Sequence, residues 1–418
     1  METLIILSGS NPLPNLITIL HCIKHCDDLD KVVIVSTEDT RQISDSLKAL
    51  VKVLAEREVQ FFQKNISSEL HREFGVNRRE IEDVFNSFDK NSIHVNFTGG
   101  KKWMSVFLSE IGNSMGAELS YLEERGPALI STVPDDLPQT VFVPESIQLK
   151  HIIQCHGFSM ESGGEDAVAS FIKNCLKELD PGALKVLLGE SQKMPRFDAN
   201  KKDRWNELEI SEGESLQRFI RDSNQLKNLI DALLSEKELS QEHPFTPDHA
   251  IRKADKSSQA KRWRSTLKYL EGQWTELLIQ NHLEDFKVQN PGVETAENTW
   301  VRPILRTGGN TGQDPEIDIF MRLGWCLVLI SVTSSSQRSM VKSKAFEAIH
   351  RARQFGGDHA RAIMFCGLDL SKSSDLEKDL TSLDKPSFSK LDIVGLEDWC
   401  SREKVTNRLI KICEDYLL

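Results

Sequence analysis

Short apolar runs alternate with helix-forming segments through the first third of the chain, and this alternation limits the folds that are open to it. Thr3–Leu7 and Val32–Val35 are predicted to be buried strands, and Leu13–Cys26 is an amphipathic helical pattern between them. A third predicted strand, His94–Phe97, precedes another helical pattern over Trp103–Met115. A helix between two strands can return the chain to the starting edge of a sheet, so that the strands run parallel.

The predicted fold class is therefore α/β. Residues 1–148 are expected to form a parallel, Rossmann-like sheet that ends in a hairpin of Leu119–Glu123 and Ala128–Thr132. In such sheets, ligands bind outside the carboxyl ends of the strands. The 418-residue chain has room for more than one domain. We interpret residues 149–262 as a charged helical connector and residues 263–418 as a second α/β domain.

The charge pattern suggests a surface for nucleic acid. The chain has 52 Lys and Arg against 63 Asp and Glu, a net charge of −11. The segment Arg252–Lys268 reverses this sign, with seven positive residues against Asp255 alone and with Trp263 within it. A basic stretch with an aromatic residue can contact phosphates, although a solvated helix face has the same composition. The candidate contacts are Lys261, Arg262, Arg264 and Lys268.

No segment predicts a membrane span or a secretory signal. The first twenty residues are apolar but are interrupted by Gly9, Asn11, Pro12 and Pro14, and they lack a basic start. The eight cysteines are scattered and form no Cys-x-x-Cys pair. We therefore expect a cytoplasmic protein with reduced thiols and no membrane partner.

Two loops rich in glycine and hydroxyl groups follow predicted strands. Residues 8–15 (Ser-Gly-Ser-Asn-Pro-Leu-Pro-Asn) follow the first strand, and residues 98–102 (Thr-Gly-Gly-Lys-Lys) follow the third. Glycine allows a ligand to approach the backbone, and the helix that starts after each loop favours an anion at its N-terminus. Each loop taken alone is equally compatible with a tight turn between a strand and a helix.

Together the loops resemble the ligand loops of CRISPR-associated Rossmann fold (CARF) domains. Asn96–Met104 is similar to the family signature Asn-x-Thr-Gly-Gly-Thr-Lys-x-Met, with Lys101 in place of the usual threonine. The resemblance covers about residues 1–145 and implies a homodimer that binds a cyclic oligoadenylate across its two-fold axis, with cyclic tetra-adenylate favoured. The ligand residues that it implies are Ser10, Asn11, Thr98, Gly99, Gly100 and Lys102.

Acidic residues in the third block suggest a metal site. Glu276 lies on an otherwise apolar helical pattern, and Asp318 belongs to a predicted strand that turns near Gly324 into a second strand, Cys326–Thr333. Carboxylates from a helix and a strand can converge on Mg²⁺ or Mn²⁺, which activates water for attack on a phosphodiester. A charged surface helix followed by an acidic turn would have the same sequence pattern without a metal site.

This region resembles the PD-(D/E)XK restriction-like nuclease domain that accompanies CARF domains in type III CRISPR accessory nucleases. The resemblance makes Glu276 the helix acid and Asp318 the central metal ligand. The third element departs from the family, because Ser331-Val332-Thr333 stands where that family has Glu-x-Lys. In some restriction enzymes a glutamate about fourteen positions further on replaces the strand acid, and Glu347 stands fourteen positions after Thr333.

A relocated site would take its positive charge from the same predicted helix. Lys344 lies one turn before Glu347, and Lys342 lies near the start of the helix. The resulting hypothesis is a nuclease for DNA or RNA, activated by cyclic oligoadenylate, in which Glu276, Asp318 and Glu347 hold the metal ion and Lys344 assists. One alternative is a sensor whose nuclease-like domain has lost activity and binds nucleic acid or a protein. Another is an N-terminal domain that degrades its own activator.

Overall fold

Two sheets organise the part of the chain that the structure, a computed structural model, describes. That part comprises residues 2–66, 74–89, 92–123, 128–131, 147–163, 167–177, 179–193, 272–304, 314–383 and 390–413. The predicted basic segment Arg252–Lys268 lies outside these residues, as does most of the predicted connector.

The first sheet contains six strands in the order β3-β2-β1-β4-β5-β6, all parallel except β6. Its strands are β1 (Thr3–Leu7), β2 (Lys31–Ser36), β3 (Gln60–Asn65), β4 (Ile93–Asn96), β5 (Glu118–Glu123) and β6 (Ala128–Ser131). The helices that connect them are α1 (Leu13–His25), α2 (Arg41–Leu54), α3 (Phe74–Asn86) and α4 (Lys102–Ser114). The predicted Rossmann-like sheet and its closing hairpin are confirmed.

The continuous apolar sequence of β1 has a direct structural cause. All five of its residues are buried, with Leu4 and Ile6 packed in one core cluster and Ile5 and Leu7 in another. Helices cover both faces of a parallel sheet, so a central strand needs apolar side chains on both sides.

The second sheet also has six strands, in the order β12-β11-β10-β9-β8-β7. These strands are β7 (Phe158–Ser162), β8 (Glu294–Pro303), β9 (Glu316–Leu323), β10 (Cys326–Thr333), β11 (Arg361–Cys366) and β12 (Leu391–Val394). The helices of this half are α5 (Leu149–Cys155), α6 (Ala167–Lys177), α7 (Pro181–Lys193), α8 (Trp274–Gln289), α9 (Arg338–Gly356), α10 (Leu370–Leu383), α11 (Leu396–Trp399) and α12 (Arg402–Cys413).

Strands β7 to β10 are antiparallel neighbours, and α9 then carries the chain from β10 to the parallel strand β11. The β9–β10 hairpin turns at Gly324, whose φ of 55° lies in the left-handed region that glycine tolerates. The second α/β domain predicted from the sequence therefore has a mixed sheet of its own.

The start of the predicted helical connector is a correction to the sequence analysis. Residues 158–162 form β7, the edge strand of the second sheet, where they pair with β8. The sequence Phe-Ser-Met-Glu-Ser is short and lacks a long apolar run, so pairing with a distant strand decides its conformation. The boundaries of the three blocks otherwise stay a prediction.

One cluster of buried apolar side chains joins the two sheets. It includes Leu4 and Ile17 from the first half and Leu329 and Ala348 from the second. Phe355 of α9 packs edge-on against Phe158 and Phe320, with ring centroids 5.0 and 5.9 Å away. Among the helices that the structure describes, none has the length and apolar character needed to cross a bilayer.

Candidate functional site

The two glycine loops meet at the carboxyl ends of β1 and β4. A Cβ atom on Gly99 would lie 2.1 Å from the carbonyl oxygen of Leu7, and one on Gly9 would lie 2.8 Å from the backbone nitrogen of Gly100. Gly100 itself has a φ of 81°. The loops therefore pack backbone against backbone, which explains the glycines independently of any ligand.

Asn15, in the first turns of α1, fastens this arrangement. Its Nδ2 donates a hydrogen bond of 2.6 Å to the carbonyl of Leu7, and its side chain is fully buried. Asn15 Oδ1 is also buried and accepts no hydrogen bond within the described residues. A Cβ atom on Gly99 would lie 3.1 Å from this oxygen, so the unpaired acceptor sits beneath the second loop.

The polar side chains of the two loops differ in their exposure and in their hydrogen bonds. Ser10 and Lys102 are exposed. The hydroxyl of Thr98 accepts a hydrogen bond of 2.7 Å from the backbone of Leu122, which leaves its own O–H able to donate. Lys101, the departure from the family signature, lies 3.8 Å from Asp39 in the loop after β2. Both partners of this ion pair are exposed, so it contributes little to stability.

Asn11 differs from the other predicted ligand residues because it contacts the second half of the chain. Its Oδ1 lies 3.2 Å from Nε2 of His156, which follows α5. A Cβ atom on Gly357, just after α9, would lie 2.5 Å from Asn11 Cγ. Asn11 Oδ1 also accepts a hydrogen bond of 3.3 Å from the backbone of Leu13 at the start of α1.

Asp318 lies where the ladder between β9 and β10 ends. The last register pair of these strands is Ile330 with Ile319, and the side chain of Asp318 then takes the place of a backbone partner. Its Oδ2 accepts hydrogen bonds of 2.7 Å from the Val332 amide and 3.2 Å from the Ser331 hydroxyl. Within the described residues, no hydrogen bond reaches Oδ1.

Lys344 and Glu347 of α9 lie close enough to Asp318 to influence its charge. Burial raises the pKa of the Asp318 carboxyl, the positive charge of Lys344 opposes this rise, and the negative charge of Glu347 adds to it. Glu347 is 65% exposed and lies 3.9 Å from Arg351 one turn further along the helix. The structure therefore places Lys344 and Glu347 within electrostatic range of Asp318, and their catalytic role stays a prediction.

Glu276 stands apart from this group. It lies in the first turn of α8, whose apolar residues belong to a different core cluster from those of α9. Alternate residues of β10 supply the two clusters, so the sheet separates the two helices. The start of α8 approaches the end of β10, since a Cβ atom on Gly272 would lie 3.2 Å from Ser334 Oγ.

The three predicted metal ligands are thus not gathered around one point. Across the described ranges, no three side chains of His, Cys, Asp or Glu lie close enough together to hold a metal ion. The predicted nucleic-acid contacts Lys261, Arg262, Arg264 and Lys268 lie outside the described residues.

Sequence reasoning missed two residues of these sites, Asn15 and His156. A buried asparagine near the start of a helix often bonds to backbone, and Asn15 ends the loop sequence that was singled out. His156 carries no comparable signal, because its partner Asn11 is 145 positions away in the sequence.

Comparison with protein families agrees with the first half of the chain. Residues 3–134 match the Card1 CARF domain. This match confirms the resemblance to CARF domains that the loop sequences indicate. No curated protein matches the chain. The predicted fusion to a PD-(D/E)XK nuclease stays a prediction.

Two solved structures share the fold of this chain over almost their whole length. Protein VC1899 from Vibrio cholerae superposes with a TM-score of 0.66 at 13% identity, covering 98% of each chain. Can2 from Sulfobacillus thermosulfidooxidans, solved in complex with cyclic tetra-adenylate, gives a TM-score of 0.61 at 13% identity and covers 100% of each chain. At these identities the likeness shows a common fold, and the predicted fold class is confirmed.

Proposed function

We propose that this protein is a nuclease that a cyclic oligoadenylate activates and that depends on a divalent metal ion. The sensing half of the proposal is supported by the CARF match over residues 3–134 and by the fold shared with Can2, whose structure contains cyclic tetra-adenylate. The catalytic half is carried by one observation, the Asp318 carboxyl, whose Oδ2 is held by Ser331 and Val332 and whose charge is influenced by Lys344 and Glu347 of α9.

The activator would bind at the edge of the first sheet where the two loops meet. Lys102 is exposed at the first residue of α4, so its charge and the free amides of that helix can both face a phosphate. Ser10 and Thr98 add hydroxyl donors, while Gly99 and Gly100 keep the loop flat against Leu7. A ring of repeated nucleotides suits a site that is made twice, so we propose a homodimer with the ligand on its two-fold axis.

The residues around Asp318 fit a hard divalent cation. Mg²⁺ is commonly held by one or two carboxylates, with water and substrate phosphate completing its shell. Asp318 Oδ1 and the carboxylate of Glu347 would supply these protein ligands, with Mn²⁺ as an alternative ion. The missing contribution of Glu276 therefore does not remove the site. When bound, the ion would stabilise negative charge on the phosphate and favour ionisation of a water molecule.

Other residues of the chain would orient the Asp318 carboxylate, stabilise charge on the phosphate and bind the substrate. Ser331 and Val332 fix the Asp318 carboxylate through Oδ2, and within the described residues no hydrogen bond occupies Oδ1. Lys344 would place its ammonium group against the charge that develops on the scissile phosphate, in the place of the lysine that Thr333 replaces. Lys261, Arg262, Arg264 and Lys268 would hold the backbone of the DNA or RNA substrate.

A sensor that binds nucleic acid without cutting it is the second candidate. The observation that favours it is the separation of Glu276 from Asp318 and Glu347, which leaves fewer carboxylates for the ion than the nuclease resemblance implies.

Cleavage assays on Asp318→Ala separate the two candidates. The purified protein is incubated with supercoiled plasmid and with short single strands of DNA or RNA, with Mn²⁺ or Mg²⁺, and with cyclic tetra- or hexa-adenylate. We expect activator-dependent cleavage that falls about 10²-fold or more in D318A, because a metal ligand contributes several kcal/mol to the transition state. Binding of the activator should stay unchanged. Asp375→Ala, which removes an exposed acid of α10, is the matched control.

A parent protein that binds the activator but cuts none of these substrates would support the sensor. Equal cleavage by D318A and the parent would show that the catalytic residues lie elsewhere. A parent that binds neither ring would remove the sensing half of the proposal.

A further inference from the structure

Three residues form a joint between the two halves of the molecule. Asn11 comes from the first glycine loop, His156 from the end of α5, and Gly357 from the residue after α9. His156 is half-buried, and burial lowers its pKa. The loop that is proposed to hold the activator therefore contacts the second half directly.

Gly357 allows the two segments to approach. Its φ of 71° lies in the left-handed region, and a Cβ atom there would lie 2.5 Å from Asn11 Oδ1 and 2.8 Å from Nδ2. Any movement of Asn11 must consequently be accommodated by Gly357 or by its neighbours. Close packing of this kind transmits displacement because it leaves little free volume.

His156 gives the joint two hydrogen-bonding states. Its Nδ1 lies 2.9 Å from the carbonyl of Ile152, to which it can only donate. In a neutral ring Nε2 is then an acceptor and needs the amide group of Asn11 as a donor. In a protonated ring Nε2 donates to Asn11 Oδ1 instead. The orientation of the Asn11 amide is thus tied to His156, and a ligand that turns this amide changes the contact.

Helix α9 leads from the joint to the proposed catalytic residues. It ends at Gly356, directly before Gly357. Glu347 lies ten residues before Gly357, about 15 Å away at 1.5 Å per residue. Ala345, Ala348 and Ala352 are buried along the intervening face, so the helix packs closely on the sheet. A shift at one end of such a helix moves the other end as well.

We propose that the joint of Asn11, His156 and Gly357 transmits activator binding through α9 to Lys344 and Glu347. This inference rests on the proposed function for its input and output. It makes Asn11 and His156 positioning residues, which act on the catalytic group through α9. The joint would thus connect the ligand site and the catalytic residues of the same chain.

Substitutions at His156 test the joint. His156→Leu places an apolar side chain in the half-buried site and removes both hydrogen bonds, while His156→Gln retains a group that can donate to Asn11. His25→Leu is the matched control, since His25 is exposed and lies at the opposite end of α1. For each protein we would measure the dissociation constant for cyclic tetra- and hexa-adenylate, the ratio of cleavage with and without activator, and amide hydrogen exchange in α9.

We expect the activator to alter exchange in α9 of the parent and of H25L. In H156L the dissociation constant should change less than about three-fold, while activation falls about five-fold or more and the exchange response of α9 disappears, as for a typical coupling between sites. H156Q should recover part of the response. Thermal unfolding of each variant verifies that it is folded. If H156L does not fold, the comparison between H156Q and the parent takes its place.

The failures of the two proposals are distinguishable. If the parent binds the activator but cuts nothing, the exchange response of α9 still decides the joint. If H156L responds like the parent in both activation and exchange, or if H156L does not fold and H156Q responds like the parent, the joint is overturned while the proposed function stands. If the parent binds neither ring, the proposed function fails, and the joint fails with it.

Discussion

At Gly99 the backbone of a loop lies so close to the end of β1 that a side chain has no space. The nearest atom to a Cβ there would be the Leu7 carbonyl oxygen, at 2.1 Å, and this oxygen is already held by Asn15. Backbone and a buried amide cannot move aside as a flexible side chain can. The glycine therefore determines how the two glycine loops meet.

Replacing Gly99 with alanine should lower the free energy of unfolding by about 2–4 kcal/mol, as expected for strongly destabilising substitutions. Gly189→Ala is the matched control. Nothing lies within 4 Å of a Cβ atom there, and alanine in a helix should add about 0.5–1 kcal/mol. Urea denaturation measures both. Equal stability of G99A and the parent would contradict the close packing of the loops.

His282 gives a second test at the scale of a residue. It is buried in α8, its Nε2–H donates to the carbonyl of Trp399, and burial lowers its pKa from the usual 6.5 to about 4. Between these values the unfolded chain binds the proton more readily, so stability falls as pH decreases from 6.5 to 4. The contribution lost is about 3 kcal/mol at 1.36 kcal/mol per pH unit.

We therefore expect His282→Gln to unfold with a weaker pH dependence than the parent over this interval. Urea denaturation at pH 7 and pH 4.5 measures the difference for each protein. The carboxylates that also titrate are common to both, so they cancel in the comparison. Parallel losses of stability in H282Q and the parent would show that His282 is not the group responsible.

At the scale of elements, α9 combines two tasks. Its buried alanines pack against the sheet, and Lys344 and Glu347, next to these alanines in the sequence, influence the charge of Asp318 in β9. Helix periodicity places Lys344 and Glu347 three residues apart on neighbouring positions of the helix surface, whereas Lys342, two residues before Lys344, faces a different direction. The element therefore selects one of the two lysines that the sequence offers.

Replacing Lys344 with glutamine should reduce activator-dependent cleavage about 10²-fold, the loss expected when a positioned donor to the transition state is removed. Lys342→Gln removes the same charge two residues away and should change the rate little. Initial rates at saturating activator and substrate provide the measurement. A larger loss in K342Q than in K344Q would reverse the assignment of the two lysines.

At the scale of the whole molecule, the shared core couples the two sheets. Phe355 is fully buried and stacks edge-on against Phe158 and Phe320 within the cluster that also includes residues of the first sheet. Burial of such large aromatic groups contributes several kcal/mol each.

Phe355→Ala should consequently destabilise the protein by about 3–5 kcal/mol and disturb both halves. Phe346→Ala, on the same helix but 41% exposed, is the control and should have a smaller effect. Scanning calorimetry and urea denaturation give the two values. An effect of F355A no larger than that of F346A would mean that the core contributes little.

The sequence by itself determined the local features of this protein. The apolar runs of β1 and β2 and the helical patterns of α1 and α4 predicted the parallel part of the first sheet, because strands buried on both faces are mostly apolar. The pair Gly99 and Gly100 marked the loop that packs on the end of β1, because only glycine fits the close approach of the backbones. Lys344 and Glu347 were predicted from their spacing together with the resemblance to restriction-like nucleases, and their catalytic role stays a prediction.

Only the tertiary structure decided which distant residues meet. β7 became a strand because β8, more than 130 positions later, provides its hydrogen-bonding partner. Glu276 was separated from Asp318 and Glu347 because α8 and α9 pack on opposite sides of a sheet, which helical spacing does not reveal. Asn11 contacts His156 and Gly357 only in the folded structure, because contacts between remote segments depend on how whole elements pack.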